Sequence, residues 1–98
     1  MALSTAPASA RTCDVGDAGS YGTTSVTGIT VRGITCAKGK RLVRAFHRCR
    51  PGKSGRCARV DGYRCSDSRY GFTEESYDAD VLCKRGRRHV SHTYTQSL

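Results

Sequence analysis

Residues 77–95, YDADVLCKRGRRHVSHTYT, decide the fold because they contain two alternating runs separated by a short basic turn. From Tyr77 to Cys83 every second residue is apolar or aromatic, and from Val90 to Thr95 large residues alternate with hydroxyl residues. This period of two is typical of a half-buried strand. The turn Lys84–Arg88 therefore joins two predicted antiparallel strands in a hairpin.

Two further strands are expected before the hairpin. The β-branched run Val26–Thr35 and the shorter run Val60–Cys65 both predict strands. The segment Thr12–Gly28 is rich in Gly, Ser, Thr and Asp, which is typical of a loose lead-in, and Ser66–Ser76 is predicted to be a loop.

One helix is expected between the first two strands. In Cys36–Arg48 apolar residues recur three and four positions apart, with Lys and Arg on the remaining faces. Thr35 is a suitable N-cap, and Pro51-Gly52 ends the segment. Gly39 lies in the first half of this helix, where it costs about 1 kcal/mol relative to Ala.

The element order β-α-β-β-β predicts an α+β domain with one helix packed on a largely antiparallel sheet of about four strands. We expect the helix to be a right-handed crossover that joins the first two strands in parallel. The chain of 98 residues has room for one domain with a modest core, so we expect disulfides to stabilise it.

The six cysteines predict a disulfide-bonded, secreted protein, since an even number in a short chain is typical of extracellular scaffolds. A zinc site fits the spacing poorly because the chain has no C-x2-C or H-x3-H pattern. The local pair Cys49–Cys57 closes a short basic loop. The assumed parallel crossover favours Cys36–Cys65 and Cys13–Cys83 for the other two bridges.

Residues 1–12 are predicted to be a flexible tail or the remnant of a signal peptide, and residues 13–98 a single domain. The motif Ala8-Ser9-Ala10 matches a secretory cleavage site, although no apolar segment precedes it. No apolar stretch is long enough to span a membrane. We therefore expect a secreted, extracellular protein that does not span a membrane.

Positive charge is concentrated in two segments of the chain. The formal net charge is +9; residues 36–60 contain nine Lys or Arg and no acid, residues 84–98 contribute +4, and residues 61–83 contribute −4. Excess positive charge favours nucleic acid or another anionic polymer as a partner. A solubilising surface remains the alternative explanation.

The binding residues are expected on one basic face. Arg41, Arg44 and Arg48 follow i, i+3, i+7 spacing and so share a helical face, and Arg is suited to phosphate and carboxylate groups. The predicted partner is an anionic polymer, either cell-wall polymer or nucleic acid, or a larger secreted protein, with no cofactor and no metal. The remaining binding candidates lie in the following loop and in the hairpin turn: Arg50, Lys53, Arg56, Arg85, Arg87 and Arg88.

Two other functions compete with the binding module. The acidic stretch around Asp78 and Asp80 makes the chain dipolar, which favours self-association as a structural subunit of an extracellular assembly. A ribonuclease-like toxin would need a base, an acid and a phosphate clamp, for which Glu74 or Glu75, His92 or His47, and the turn arginines are candidates. We expect no enzyme, with His92 partly buried and His47 and His89 exposed to solvent.

Several segments of residues 33–95 resemble a group of small, secreted, cysteine-containing domains from actinobacteria whose function is uncharacterised. The continuous segments are GITCA at 33–37, RLVRAFHRCR at 41–50, GRC at 55–57 and HTY at 92–94. Two further segments, 60–66 and 81–86, contain some variable positions. The resemblance implies a disulfide-bonded extracellular α+β domain and a binding role. It implies no reaction.

Overall fold

A computed structural model describes residues 10–98 of the protein. The predicted tail falls mostly outside the described residues, and the first strand begins at Arg11. Within the described residues, no helix is both long and apolar enough to cross a membrane. The elements are β1 (Arg11–Cys13), a 3-10 helix (Gly16–Gly19), β2 (Ser20–Tyr21), β3 (Thr24–Arg32), α1 (Cys36–Cys49), β4 (Arg59–Val60), β5 (Tyr63–Tyr70), β6 (Ser76–Arg85) and β7 (Arg88–Ser97).

The strands form one antiparallel sheet in the order β1-β3-β7-β6-β5-β4, with β2 also paired to β3. One helix on an antiparallel sheet is thus confirmed. The predicted count of about four strands is wrong, since the sheet has seven. Strands β1, β2 and β4 have two or three residues each, which is too short to show an alternation of their own.

Three further sequence predictions about the sheet are wrong. The strand predicted at Val60–Cys65 is interrupted by Asp61-Gly62, whose positive φ angles of 49° and 81° turn the chain from β4 into β5. The loop predicted at Ser66–Ser76 begins only after Tyr70, because β5 pairs with β6 along its whole length. No parallel crossover exists among the described strands, since every pair is antiparallel.

The helix α1 covers one face of the sheet, which we call the helix face. Thr35 caps it as predicted, accepting a hydrogen bond of 3.2 Å from the Lys38 backbone N–H. Leu42, Val43 and Phe46 are buried against the sheet. Gly39 is also buried, and a side chain there would overlap Val31, so the glycine allows the close approach of helix and strand. The opposite side of the sheet, which α1 leaves uncovered, is the open face.

Three disulfides connect these elements. The predicted bridge Cys49–Cys57 is confirmed, and the predicted pairs Cys36–Cys65 and Cys13–Cys83 are wrong. The bridges are instead Cys13–Cys36 and Cys65–Cys83. Antiparallel pairing explains both, because it places Cys65 directly opposite Cys83 and draws β1 beside β3, next to the start of α1.

Peptide mapping of the oxidised protein checks this connectivity. We expect an intact mass about 6 Da below that of the reduced chain, because each of three bridges removes two hydrogens. Proteolytic fragments should link Cys13 to Cys36 and Cys65 to Cys83. A fragment linking Cys36 to Cys65 would contradict the antiparallel arrangement, and reduction before digestion is the control that separates every pair.

Candidate anion-binding surface

The three arginines of the predicted helical ridge lie on the side of α1 that faces away from the sheet. Arg41 and Arg48 are exposed and Arg44 is partly exposed, opposite the buried Leu42 and Phe46. Among the described residues, none of the three forms an ion pair with an acid. The helix therefore presents a continuous stripe of cationic side chains to solvent.

Arg50 does not lie on that surface. Its side chain is buried beneath the loop after α1, and it is only 8 % exposed, so it cannot contact a ligand outside the protein. No carboxylate among the described residues contacts it, and its guanidinium is surrounded by neutral oxygens instead. Its acceptors are the carbonyls of Lys53 and Gly55, the hydroxyls of Tyr77, Tyr94 and Thr24, and Oε1 of Gln96.

The two loop candidates differ in availability. Lys53 is exposed. Arg56 is exposed too, but its guanidinium forms an ion pair with Asp67, whose other carboxylate oxygen accepts a 3.0 Å hydrogen bond from Arg69. Arg56 is therefore partly neutralised, and the predicted continuous ridge from the helix into the loop is interrupted at Arg50 and at Arg56.

The turn candidates Arg85, Arg87 and Arg88 are all exposed and lie at the tip of the β6–β7 hairpin. Arg85 donates a 3.3 Å hydrogen bond to the carbonyl of Asp61 in the adjacent β4–β5 turn. The sheet register brings the ends of several other strands to this tip, and we call this region the hairpin end. Nine of the 17 Lys and Arg residues lie there: Arg11, Arg32, Lys38, Arg59, Arg64, Lys84, Arg85, Arg87 and Arg88.

A line of basic side chains crosses the open face at the hairpin end. The register places the residues of five neighbouring strands directly opposite one another, and all of them are exposed or partly exposed. Neighbouring strands lie about 4.8 Å apart, so the line is about 19 Å long. We call it the basic row; from β4 to β3 its members are Arg59, Arg64, Lys84, His89 and Arg32.

Sequence reasoning missed the basic row because its members lie on five strands between residues 32 and 89. Two of its four Lys and Arg residues, Arg32 and Arg64, lie outside the two basic segments 36–60 and 84–98. The Asp61-Gly62 pair is a strong hairpin signal, and recognising it would have placed Arg59 opposite Arg64. The remaining pairings depend on the register of the whole sheet.

The far end of the open face is acidic. Asp80 accepts hydrogen bonds from Thr93 at 2.9 Å and from Tyr70 at 3.2 Å, and Asp78 accepts one from Thr95 at 2.6 Å. These hydroxyl donors hold both carboxylates in place on the sheet. No group of three or more His, Cys, Asp or Glu side chains suited to a metal ion occurs among the residues that the structure describes.

His47 of α1 and His92 of β7 form a close pair in which His92 is buried and His47 is partly buried. His92 is buried as predicted, whereas His47 contradicts the prediction of a solvent-exposed side chain: its Nε2 lies 3.0 Å from Nε2 of His92. Burial and the nearby Arg50 together lower the pKa of His92 from 6.5 to about 4. Burial, His92 and Arg50 together lower the pKa of His47 to about 3. Both rings are therefore neutral at pH 7, and one Nε2–H donates to the other.

The residues required by the ribonuclease hypothesis are not brought together. Glu74 and Glu75 precede the first residue of β6, whereas Arg85 is its last residue. An antiparallel strand rises about 3.4 Å per residue, so the candidate base and the candidate clamp are about 30 Å apart. One phosphate group cannot contact both, and the candidate acid His92 is buried between them.

Comparison of the chain with models of protein families, with curated proteins and with solved structures gave no match. The resemblance to small secreted actinobacterial domains therefore stays a prediction. The candidate site consequently rests on the arrangement of charge in this structure alone: a basic row and a basic hairpin tip at one end of an open sheet face.

Proposed function

We propose that the protein is a secreted, non-enzymatic binding module that holds an extracellular phosphate-bearing polymer against its hairpin end. The basic row is the observation on which this proposal rests. Like charges placed directly opposite each other on neighbouring strands destabilise a sheet. The directly opposed cations Arg59–Arg64 and Arg64–Lys84 therefore oppose folding, and a polyanion lying across the row would reduce that repulsion.

The shape of the row favours contacts to a polymer backbone. Its residues project from the uncovered sheet face and form a line about 19 Å long, which several successive phosphates of an extended chain can follow. Arginines at the hairpin tip extend the same charge beyond the sheet edge. Such contacts neutralise phosphates without reading the groups attached to them.

The position of the exposed aromatic residues argues against single-stranded nucleic acid as the preferred polymer. Binding of single strands combines cationic contacts with bases stacked on aromatic rings. Tyr70 and Phe72 are exposed, but they lie at the end of β5 and in the loop after it, at the acidic end of the sheet. A polymer without bases, such as a phosphodiester-linked wall polymer, requires no such stacking. Three disulfides in a small domain are consistent with an extracellular setting.

The proposal is tested by measuring affinity for poly(glycerol phosphate) across a salt series. Affinity should fall steeply with salt, since each neutralised phosphate releases counterions. The double variant Arg64→Gln/Lys84→Gln should bind about tenfold more weakly at low salt, with a salt slope shallower by about two units. The matched control Arg44→Gln/Arg48→Gln removes the same charge from the helix and should change affinity by less than about twofold. Equal losses in the two double variants would contradict a site at the basic row.

One observation favours the alternative of a self-assembling subunit. The open face has a basic row at one end and hydroxyl-bonded Asp78 and Asp80 at the other, so a second copy turned by 180° could pair opposite charges. This arrangement predicts a dimer of defined mass that Asp78→Lys dissociates. Finding that dimer, together with no polymer binding, would contradict the binding-module proposal and support a self-assembling subunit.

A further inference from the structure

A groove opens at the hairpin end on the helix side of the sheet, separate from the basic row. It lies between β1, the first turn of α1 and the hairpin, and it has a volume of about 850 Å³. Its lining includes the apolar side chain of Val31. This volume is within the range of sites that bind small molecules and exceeds the volume of a lone phosphate.

Three cationic side chains from three different elements line the groove. Arg11 comes from β1, Lys38 from α1 and Arg88 from β7, and none of the lining residues in the described part of the chain is acidic. All three side chains are exposed, and none forms an ion pair among the described residues. Because tertiary folding alone brings these positions together, the groove holds a local excess of positive charge around a concave surface.

A buried tyrosine adds an unused hydrogen-bonding group. Tyr63 lines the groove, is only 7 % exposed, and its hydroxyl makes no hydrogen bond to the described part of the chain. Thr12 also contributes a hydroxyl to the lining. The groove therefore combines three cations with neutral donors that a ligand can satisfy.

We propose that the groove binds a phosphomonoester, such as the terminal phosphate of the polymer that the basic row holds; this inference rests on the proposed function. A phosphomonoester has a charge of about −1.5 to −2 and three acceptor oxygens, which matches three cations lining one groove better than a singly charged carboxylate does. The remaining volume accommodates the glycerol or sugar that bears the phosphate. The basic row would then hold the chain interior, and the groove would recognise its end.

Titration with glycerol phosphate tests the site directly. Binding is measured by calorimetry and by the NMR shifts of the backbone amides of the groove residues. Wild type should bind glycerol phosphate at low salt, and Lys38→Gln and Arg88→Gln should each weaken binding about tenfold. Tyr63→Phe should weaken it about threefold without lowering the melting temperature, because its hydroxyl has no hydrogen-bond partner among the described residues. The matched control Arg48→Gln, on the outer side of the same helix, should bind like wild type.

The source of the phosphate is distinguished by comparing poly(glycerol phosphate) with and without its terminal phosphomonoester, a 5′-phosphorylated oligonucleotide and inorganic phosphate. Stronger binding of the phosphate-terminated polymer, lost in Lys38→Gln, supports end recognition. Equal weakening by Arg48→Gln, or no binding of glycerol phosphate by wild type, would overturn the groove proposal even if the polymer still binds through the basic row. Binding of glycerol phosphate without any binding of polymer would overturn the proposed function and leave the groove as a site for small phosphomonoesters.

Discussion

Lowering the pH from about 7 to about 4.5 is expected to reduce the free energy of unfolding by about 2 to 3 kcal/mol through His92 alone. Burial lowers its pKa from 6.5 to about 4 in the folded protein, and the unfolded chain keeps the ordinary value. Between these values the unfolded state binds a proton that the native state excludes. The stabilisation is therefore complete above pH 6.5 and decreases as the pH falls toward 4.

His47 adds to this effect because its pKa is lowered in the same direction, to about 3. Both Nδ1 atoms are buried and have no hydrogen-bond partner among the described residues, so no acceptor stabilises an imidazolium ion at either ring. Protonation would also place a positive charge beside its partner ring and near Arg50. The pair thus resists protonation as a unit.

Urea denaturation at pH values from 7 down to 4.5 measures this loss. The double variant His47→Gln/His92→Gln should show a nearly flat dependence, whatever its stability at pH 7. The control His89→Gln should retain the wild-type dependence, because His89 lies on the open face and away from the pair. A wild-type stability that does not change over this range would contradict a neutral buried pair.

Replacing Arg50 by Met is expected to reduce the free energy of unfolding by about 3 to 5 kcal/mol. The guanidinium donates to two carbonyls of the loop after α1 and to four side chains of the sheet, including a 2.6 Å hydrogen bond to Gln96. Its loss removes the partner of the Tyr94 hydroxyl and one of the two donors to the Lys53 carbonyl, the Gly55 carbonyl and Gln96 Oε1, and so disconnects the loop from the sheet. A methionine side chain of similar length cannot hydrogen-bond to any of these acceptors.

Thermal and chemical denaturation of Arg50→Met should be compared with Arg48→Met, which removes the same charge two positions earlier from an exposed side chain. Arg48→Met should change stability by less than about 0.5 kcal/mol. Arg50→Lys should fall between the two, because a lysine can donate to only some of the six acceptors. If Arg50→Met and Arg48→Met are equally stable, the buried guanidinium has no structural role.

Local periodicity explains what could be predicted of the fold. The helix after Thr35, the hairpin around Gly86 and the inward direction of His92 depend on residues only a few positions apart. The part of strand β5 after Cys65 escaped prediction because its helix-face residues there are Asp67 and Arg69, so the apolar alternation of Tyr63 and Cys65 does not continue. Asp67 is tolerated there because Arg56 and Arg69 pair with it.

The sequence by itself determined the local features of the protein. These are one cationic helix, a basic hairpin turn, the short loop closed by Cys49–Cys57 and the separation of charge into opposite segments. Only the tertiary structure decided which charges act together. Antiparallel register aligned the basic row from five strands, burial removed Arg50 from the surface, and the contact of β1 with the start of α1 created the groove. These features depend on pairings between distant residues, and strand register is set by packing over the whole sheet and not by any local pattern.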